Sequence, residues 1–360
     1  MTVTDLASGK ESGQKRRRLP RLSVVEYGLR QLARMALYTQ TSSSLRRAVR
    51  EEREFLQGGL KPPPAGIVNR DLRALFREDI RNVARGYYPM PRDNDGSLFK
   101  QAARLRQFYA DLPASNSRRR GKVHDEVLTD KTRDKRPRYY LQNFHYQTDG
   151  WMSDDSARIY DVQVESLFGG TANLMRRQSL VPLAKFIAGR DQRDLRLLDI
   201  ACGTGRLINA ACTAFPRLKM VGLDLSEEYL HEARRQIGHR ANVRFLLAKG
   251  EALPFADNSL DCVTSTFLYH ELPPKIRRAV AQETVRVLKP GGLYIHMDSL
   301  QLGDVQDYDG LLEGFPRFFH EPYHGSYIRE DLADLFSEAG LAMQDATPLF
   351  ISKRNVFTKI

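Results

Sequence analysis

Leu197-Leu198-Asp199-Ile200-Ala201-Cys202-Gly203-Thr204-Gly205 reads as an apolar strand that carries a carboxylate into a bend of small residues. Residues 195–200 are short and mostly apolar, which suits a strand of a parallel sheet covered on both faces. Gly203 and Gly205 have no Cβ, so a ligand can lie against the main chain there and unusual φ values cost little. The helix expected over 206–215 aims its first N–H groups at that ligand. A dinucleotide loop would read G-x-G-x-x-G, with pyrophosphate over the helix N-terminus. The order A-C-G-T-G lacks the third glycine, so the expected ligand is a nucleoside of another kind.

A second signal follows in Met220-Val221-Gly222-Leu223-Asp224-Leu225-Ser226. Apolar residues bring a carboxylate to the carboxyl end of a strand, where open α/β sheets bind ligands. Asp224 can accept both hydroxyls of a ribose there. Ser226 has the character of an N-cap, with Glu227 and Glu228 in the first turn of a helix running to about 237. As a mere turn residue Asp224 would have no reason to fall 25 positions after Asp199, one β-α-β unit on.

Two further blocks lie downstream. Gly250-Glu251-Ala252-Leu253-Pro254-Phe255 precedes Ser259-Leu260-Asp261-Cys262-Val263, and Arg286-Val287-Leu288-Lys289-Pro290-Gly291-Gly292 ends a helix and turns into a strand over 293–297. Lysine at a helix C-terminus, a proline stop and two glycines make that turn on physical grounds alone. With all four motifs in order, residues 191–360 resemble the class I S-adenosylmethionine-dependent methyltransferases, within the group similar to ubiquinone/menaquinone C-methyltransferases. The resemblance implies a doubly wound, Rossmann-like, seven-stranded and mostly parallel α/β sheet. It implies S-adenosyl-L-methionine as cofactor, held by Asp199, Ala201, Cys202, Gly203, Gly205, Asp224, Leu225, Gly250, Glu251 and Phe267. Ala201 replaces the glycine that usually opens the first motif, a change that a β-region backbone tolerates. Lys249 falls where many relatives carry an acidic acceptor for the adenine amino group. An ammonium cannot accept that bond, which leaves the main chain at Gly250 to read the ring.

The charge is unevenly placed. Residues 1–150 hold 31 Lys and Arg against 17 Asp and Glu, a net +14; residues 151–360 hold 25 against 27, a net −2. A disordered basic tail is expected over 1–20, ending in Lys15-Arg16-Arg17-Arg18. A helical accessory extension with a linker follows over 21–145, then the methyltransferase domain over 146–360, with a lid over 146–190 and a Rossmann-like core over 191–360. Helical spacing is seen from Leu22 to Leu37, Val68 to Ala84 and Leu98 to Leu112, whereas Ser115 to Arg138 is charged and turn-rich. The extension is read first as a helical region that packs on the catalytic domain and shows its charges to water. Its basic start also suits an anionic membrane surface; nucleic acid is the weaker partner, for want of a recognisable binding motif. No apolar run approaches 18 residues and no secretory pattern is seen. Cys202, Cys212 and Cys262 have no metal-like spacing. A cytoplasmic setting, with peripheral membrane contact, is expected.

The acceptor side is expected after the fourth and fifth strands. His270, in Thr266-Phe267-Leu268-Tyr269-His270-Glu271, is the candidate general base; a structural role is the alternative, and positioning alone can suffice for methyl transfer. Tyr160, Tyr269, Asp298, His320, Tyr323 and His324 are the other candidate acceptor contacts. Residues 320–324 spell H-E-x-x-H, but Pro322 interrupts the continuous helix that this zinc signature needs, so no metal is expected. The aromatic approach Tyr139, Tyr140, Phe144, His145, Tyr146, Trp151 and Tyr160 reads as a lid or as filler between domain and extension. The reading is of a methyltransferase acting at carbon or oxygen of a small hydrophobic or aromatic acceptor, quinone- or lipid-like. A nucleic-acid base N-methyltransferase would show D/N-P-P-aromatic where Tyr269-His270-Glu271-Leu272 stands, and a cytosine C5-methyltransferase a cysteine nucleophile. The alternatives are a protein or RNA methyltransferase and a non-catalytic cofactor-binding interaction protein.

Overall fold

The computed structural model describes residues 20–50, 61–93, 95–133 and 135–360. The basic tail expected over 1–20 lies, but for Pro20, outside the described residues. Seven strands form one sheet in the order β3-β2-β1-β4-β5-β7-β6. They are β1 (Arg196–Ile200), β2 (Lys219–Asp224), β3 (Val243–Leu247), β4 (Leu260–Thr266), β5 (Leu288–Ser299), β6 (Leu341–Leu349) and β7 (Ser352–Lys359). β1 to β5 pair in parallel, and β7 runs antiparallel between β5 and β6. The order in which strands are added reverses between β1 and β4, the switch point at which such sheets bind ligands.

The helices are α1 (Arg21–Arg50), α2 (Ala65–Ala84), α3 (Leu98–Gly121), α4 (Asp130–Arg133), α5 (Asp154–Leu167), α6 (Ala172–Arg177), α7 (Leu180–Ile187), α8 (Arg206–Ala214), α9 (Glu227–Ile237), α10 (Pro274–Val287), α11 (Asp309–Phe318), α12 (His324–Tyr327) and α13 (Leu332–Ala339). Strand alternation splits the core into two layers. Leu198, Ile200 and Tyr294 pack with Val280, Ala281, Leu335 and Phe336 of α10 and α13. Leu197, Leu293 and Ile295 pack on the other face with Leu180, Leu183, Leu207 and Ala211 of α7 and α8. The three cysteines are buried and unbridged.

The extension differs from expectation in two ways. First, α3 does not stop at Leu112: it runs through Pro113 to Gly121, into the stretch read as a loop. The proline costs one intrahelical hydrogen bond, and the Arg118-Arg119-Arg120 run suits the negative end of the helix dipole. Second, α1 does not turn its charges outward and its apolar residues inward. Leu22, Val25, Leu29 and Leu32 are exposed at 84%, 57%, 63% and 64%, while Tyr27, Gln31, Arg34, Tyr38 and Thr41 are buried. The buried side is held by polar bonds: Tyr27 donates to Asp79, Gln31 to Asp93, and Arg34 pairs with Asp95 and, at 3.2 Å, with Glu165. Asp79, on α2, also receives Arg177 at 2.9 Å and Tyr88 at 2.7 Å. Buried ions of this kind are tolerated only when paired, so the extension docks through a polar network beside apolar contacts such as Tyr38 and Phe108 on Ile159 and Val162, and Leu75 on Leu174 and Met175.

Candidate active site

A cavity lies at the carboxyl ends of β1, β2 and β4. Ile200, Ala201, Gly203, Leu223, Asp224, Leu225, Tyr229, Ala248, Gly250, Glu251, Thr266, Phe267, Leu268 and Glu271 form its floor and walls, under Tyr139, Tyr140, Phe144, Trp151 and Tyr160. A larger cleft of about 1120 Å³, between α1, the start of α3 and α8, is lined by Arg30, Arg104, Arg177, Arg206 and Asp93 and does not include the strand ends. The strand-end cavity is where the chemistry of the motifs converges.

The glycine-bearing bend is built by backbone geometry. Ala201, Gly203 and Gly205 have φ of 55°, 54° and 78°, all left-handed. For Ala201 this corrects the expectation of a β-region backbone: a Cβ sits where glycine is favoured, at a cost of about 1–2 kcal/mol. Such strain persists where surrounding structure over-determines the conformation. A Cβ on Gly203 would meet nothing within 4 Å, so this main chain is open to a ligand. Gly205 is not on the cavity lining, and its lack of a side chain has a packing reason. A Cβ there would fall 2.9 Å from Ile237 Cδ1 and 3.1 Å from Ala233 Cβ, so its smallness lets α8 pack on α9.

Asp224 Oδ2 accepts from Gly203 N at 2.8 Å and Oδ1 from Ser226 N at 2.9 Å. Each oxygen keeps a lone pair for a ribose hydroxyl. Burial raises its pKa, opposed by those backbone donors. Ser226 caps α9 by accepting from Tyr229 N at 3.2 Å. Asp199 is buried and does not line the cavity; its Oδ1 accepts from Thr264 Oγ1 at 2.7 Å. Burial, with the nearby Asp224 charge, pushes its carboxyl up to about 7 against the Thr264 bond. Cys202 is likewise buried outside the lining.

On the adenine side Ala248, Gly250 and Glu251 line the cavity, while Lys249 is exposed. Glu251 is held by Tyr139, whose hydroxyl is 2.9 and 3.0 Å from its two oxygens. Phe267 has φ 57°, donates its N–H to Met297 O at 2.8 Å and stacks at 5.5 Å on Phe168. Thr266 Oγ1 and Trp151 Nε1 are buried and have no hydrogen-bond partner. Orphans of this kind on a cavity wall call for a polar ligand, and an open main-chain bend, a distal carboxylate and an aromatic roof fit a nucleoside bearing an amino acid. S-adenosylmethionine fits the residues present; it supplies a methyl group on a positively charged sulfur.

Helix α5 is bolted to this bend by Asp161. Its carboxylate accepts from Thr204 Oγ1 at 2.7 Å and Gln236 Nε2 at 2.9 Å and pairs with Arg206 at 2.7 Å. Burial would raise its pKa, but Arg206 and the donors hold it well below the usual carboxylate range. Ser226 Oγ also donates to Trp151 O at 2.6 Å. Neither Tyr139–Glu251 nor Trp151–Ser226 had a signal in the sequence, since both join residues far apart in the chain.

Of the expected acceptor contacts, Tyr160 lines the cavity; Tyr269, His270, Asp298, His320, Tyr323 and His324 do not. Tyr269 is fully buried and packs edge-on against Phe336 and His296. Asp298 is a turn-holder: it accepts from Leu268 N at 3.1 Å, Tyr269 N at 2.7 Å and His270 Nδ1 at 2.5 Å. Burial alone would lower the His270 pKa, but Asp298 and Glu271 raise it to about 9. The ring is engaged with Asp298 and stands outside the cavity lining, an arrangement that favours the structural alternative over a general base. His320 stacks on His124 at 4.1 Å and bonds Gln142, Tyr323 accepts from Gln142 at 3.0 Å, and His324 lies 3.4 Å from Ser299 Oγ.

The strand order and the Gly203–Asp224 site together define a Rossmann-like sheet with a nucleoside pocket at its switch point. A family model described as a methyltransferase domain matches residues 197–292. The ubiquinone/menaquinone biosynthesis C-methyltransferase of Methylobacterium nodulans is 30% identical over 214 residues, covering 52% of this chain and 79% of that one. The demethylmenaquinone methyltransferase of Listeria monocytogenes serotype 4a is 32% identical over 173 residues, covering 42% and 72%. A solved S-adenosylmethionine-dependent methyltransferase from Aquifex aeolicus is 18% identical, with 52% and 93% covered and a TM-score of 0.39. The chain belongs to the class I S-adenosylmethionine-dependent methyltransferases.

Proposed function

We propose that this methyltransferase acts at carbon or oxygen of a small, hydrophobic or aromatic acceptor of quinone- or lipid-like character. The observation that carries this reading is the roof of the donor cavity, where Tyr139, Tyr140, Phe144, Trp151 and Tyr160 supply five aromatic rings and no cation. Such a wall favours a flat apolar acceptor over a phosphate-rich one. The similarity to quinone C-methyltransferases points the same way. Within the site, Asp224 holds the ribose, Gly250 and Glu251 read the adenine, and Phe267 offers its main chain; Asp199, buried behind the bend, acts on the cationic donor through its charge rather than by contact. Tyr160 contacts the acceptor. Asp298 and His270 act as positioning residues that fix the turn over 268–270, and in-line placement provides most of the rate.

Peripheral contact with an anionic membrane surface belongs to the same reading. It is supported by the exposed stripe Leu22, Val25, Leu29 and Leu32 on α1 and by the net +14 of residues 1–150. No described helix is long and apolar enough to cross a membrane.

The test is methyl transfer from labelled donor into lipid, RNA and protein fractions of a cell extract, with Asp224→Ala as control. Label in an organic-extractable product, absent with the variant, is the expected result. Label confined to RNA or protein would overturn the acceptor class.

A further inference from the structure

Beside the donor cavity, three side chains from distant parts of the chain meet. They are His145, from the turn Phe144–Tyr146; Glu271, from the turn Tyr269–Glu271; and Glu321, from the loop after α11. His145 Nε2 lies 2.7 Å from Glu321 Oε1 and 3.5 Å from Glu271 Oε1. One ligand atom from each of the three can be chosen so that all lie within 4.8 Å of one another.

The two glutamates are under-satisfied. The Glu321 side chain has no solvent exposure, and its charge faces the imidazole of His145 at 2.7 Å without a well-formed hydrogen bond to either oxygen. Glu271 Oε2 is also buried without a partner. A buried carboxylate with no donor is costly, and two of them together are more so. The main chain is bent to bring the imidazole in: His145 and Tyr146 have φ of 55° and 57°, and His145 N donates to His320 O at 3.2 Å.

We propose that His145, Glu271 and Glu321 bind a divalent cation of the borderline class, such as Mn²⁺, Fe²⁺ or Zn²⁺. One imidazole and two carboxylates suit these ions better than Mg²⁺ or Ca²⁺, which prefer all-oxygen sets. Metal–ligand distances of about 2.0–2.2 Å place ligand atoms about 3–4 Å apart, close to the spacing already present. Three protein ligands leave coordination positions for water or another oxygen. Glu271 lines the donor cavity with Phe267 and Leu268, so an open position on that side faces the acceptor. Orientation of an acceptor oxygen by the cation rests on the methyltransferase reading; the binding itself does not.

The H-E-x-x-H stretch is thus used in a way its spacing does not suggest. His320 and His324 stay outside the cluster, and the glutamate between them joins a histidine and a glutamate from elsewhere.

The test is calorimetric titration of tag-free, chelator-stripped full-length protein with MnCl₂ and with ZnCl₂, alongside the electron paramagnetic resonance of bound Mn²⁺. Glu321→Gln, Glu271→Gln and His145→Ala are compared, with circular dichroism and S-adenosylhomocysteine affinity reporting the fold. One equivalent per chain is expected, weakened at least tenfold in Glu321→Gln and in His145→Ala while circular dichroism is unchanged. Absence of saturable one-to-one binding by folded protein, or binding that the variants leave intact, overturns the proposal in favour of a proton-sharing carboxyl pair. Homocysteine-adduct binding without metal binding overturns the cation site alone; metal binding without it overturns the methyltransferase reading alone.

Discussion

The hydroxyl of Tyr139 sits 2.9 and 3.0 Å from the two oxygens of Glu251, tying the aromatic segment before the catalytic core to the loop after β3. A bond to a carboxylate is worth about 1.5–3 kcal/mol when its loss leaves the charge partly buried. Tyr139→Phe is therefore expected to weaken S-adenosylhomocysteine binding roughly tenfold, chiefly through faster dissociation, and to lower the melting temperature by a few degrees. Stopped-flow dissociation rates check this; an unchanged rate would leave the Tyr139 contact without a role in retaining the donor.

Asp199 is expected to trade stability for binding. Its pKa rises on folding from the ordinary carboxyl range to about 7, chiefly through burial. A carboxyl shifted upward destabilises the fold above that pH and has no effect below about pH 4, where folded and unfolded chains both hold the proton. Asp199→Asn should raise the melting temperature of the ligand-free protein at pH 8 but not at pH 4, and should weaken donor binding. Wild-type affinity for the cationic donor should fall as pH drops below 7, up to about tenfold per unit. Calorimetry at pH 5.5, 7 and 8.5 reads the sign; affinity independent of pH would refute it.

Ala201 carries a Cβ at φ 55°. Ala201→Gly relieves the strain but loosens the unfolded chain, so the net gain is expected to be about 0.5–1 kcal/mol. Denaturant melts measure it. A loss of stability in this variant would mean that the alanine methyl contributes more by packing than its backbone costs.

The His270–Asp298 pair has its own pH signature. A histidine pKa raised to about 9 stabilises the fold fully below the unfolded value near 6.5, and that contribution is lost as pH rises through about 9. Asp298→Asn removes the anion, so the imidazole should titrate at least one unit lower by NMR and the stability decline between pH 6.5 and 9 should flatten. Turnover should fall with it, because the turn over 268–270 loses its anchor. A His270 titration identical in both proteins would show that Asp298 does not hold the proton.

Much of the catalytic half was legible in the chain. Strand periodicity, the glycines at 203 and 205, Asp224 at a strand end, and the Lys289-Pro290-Gly291-Gly292 stop are local signals, each with a local physical cause. The acceptor candidates fared worse. His270, Asp298 and Tyr269 lie beside the right strands, yet burial and mutual hydrogen bonds turn them into scaffolding, and burial cannot be read from a residue's type. The Asp161–Arg206 and Tyr139–Glu251 links join residues 45 and 112 positions apart, so no periodicity signals them. The extension misled for a related reason. Its helices were visible, but Leu22 and Leu29 look like core residues until the buried pairs of Arg34 and Tyr27 show which side is docked.

The cavity roof, from Tyr139 to Tyr160, lies upstream of Leu197, where the family match begins. On the acceptor reading proposed above, most of the donor-holding residues and the aromatic rings that would meet the acceptor are written in separate stretches of one gene product. Exchange or divergence of the leading stretch would redirect the enzyme to new molecules while sparing the machinery that delivers the methyl group.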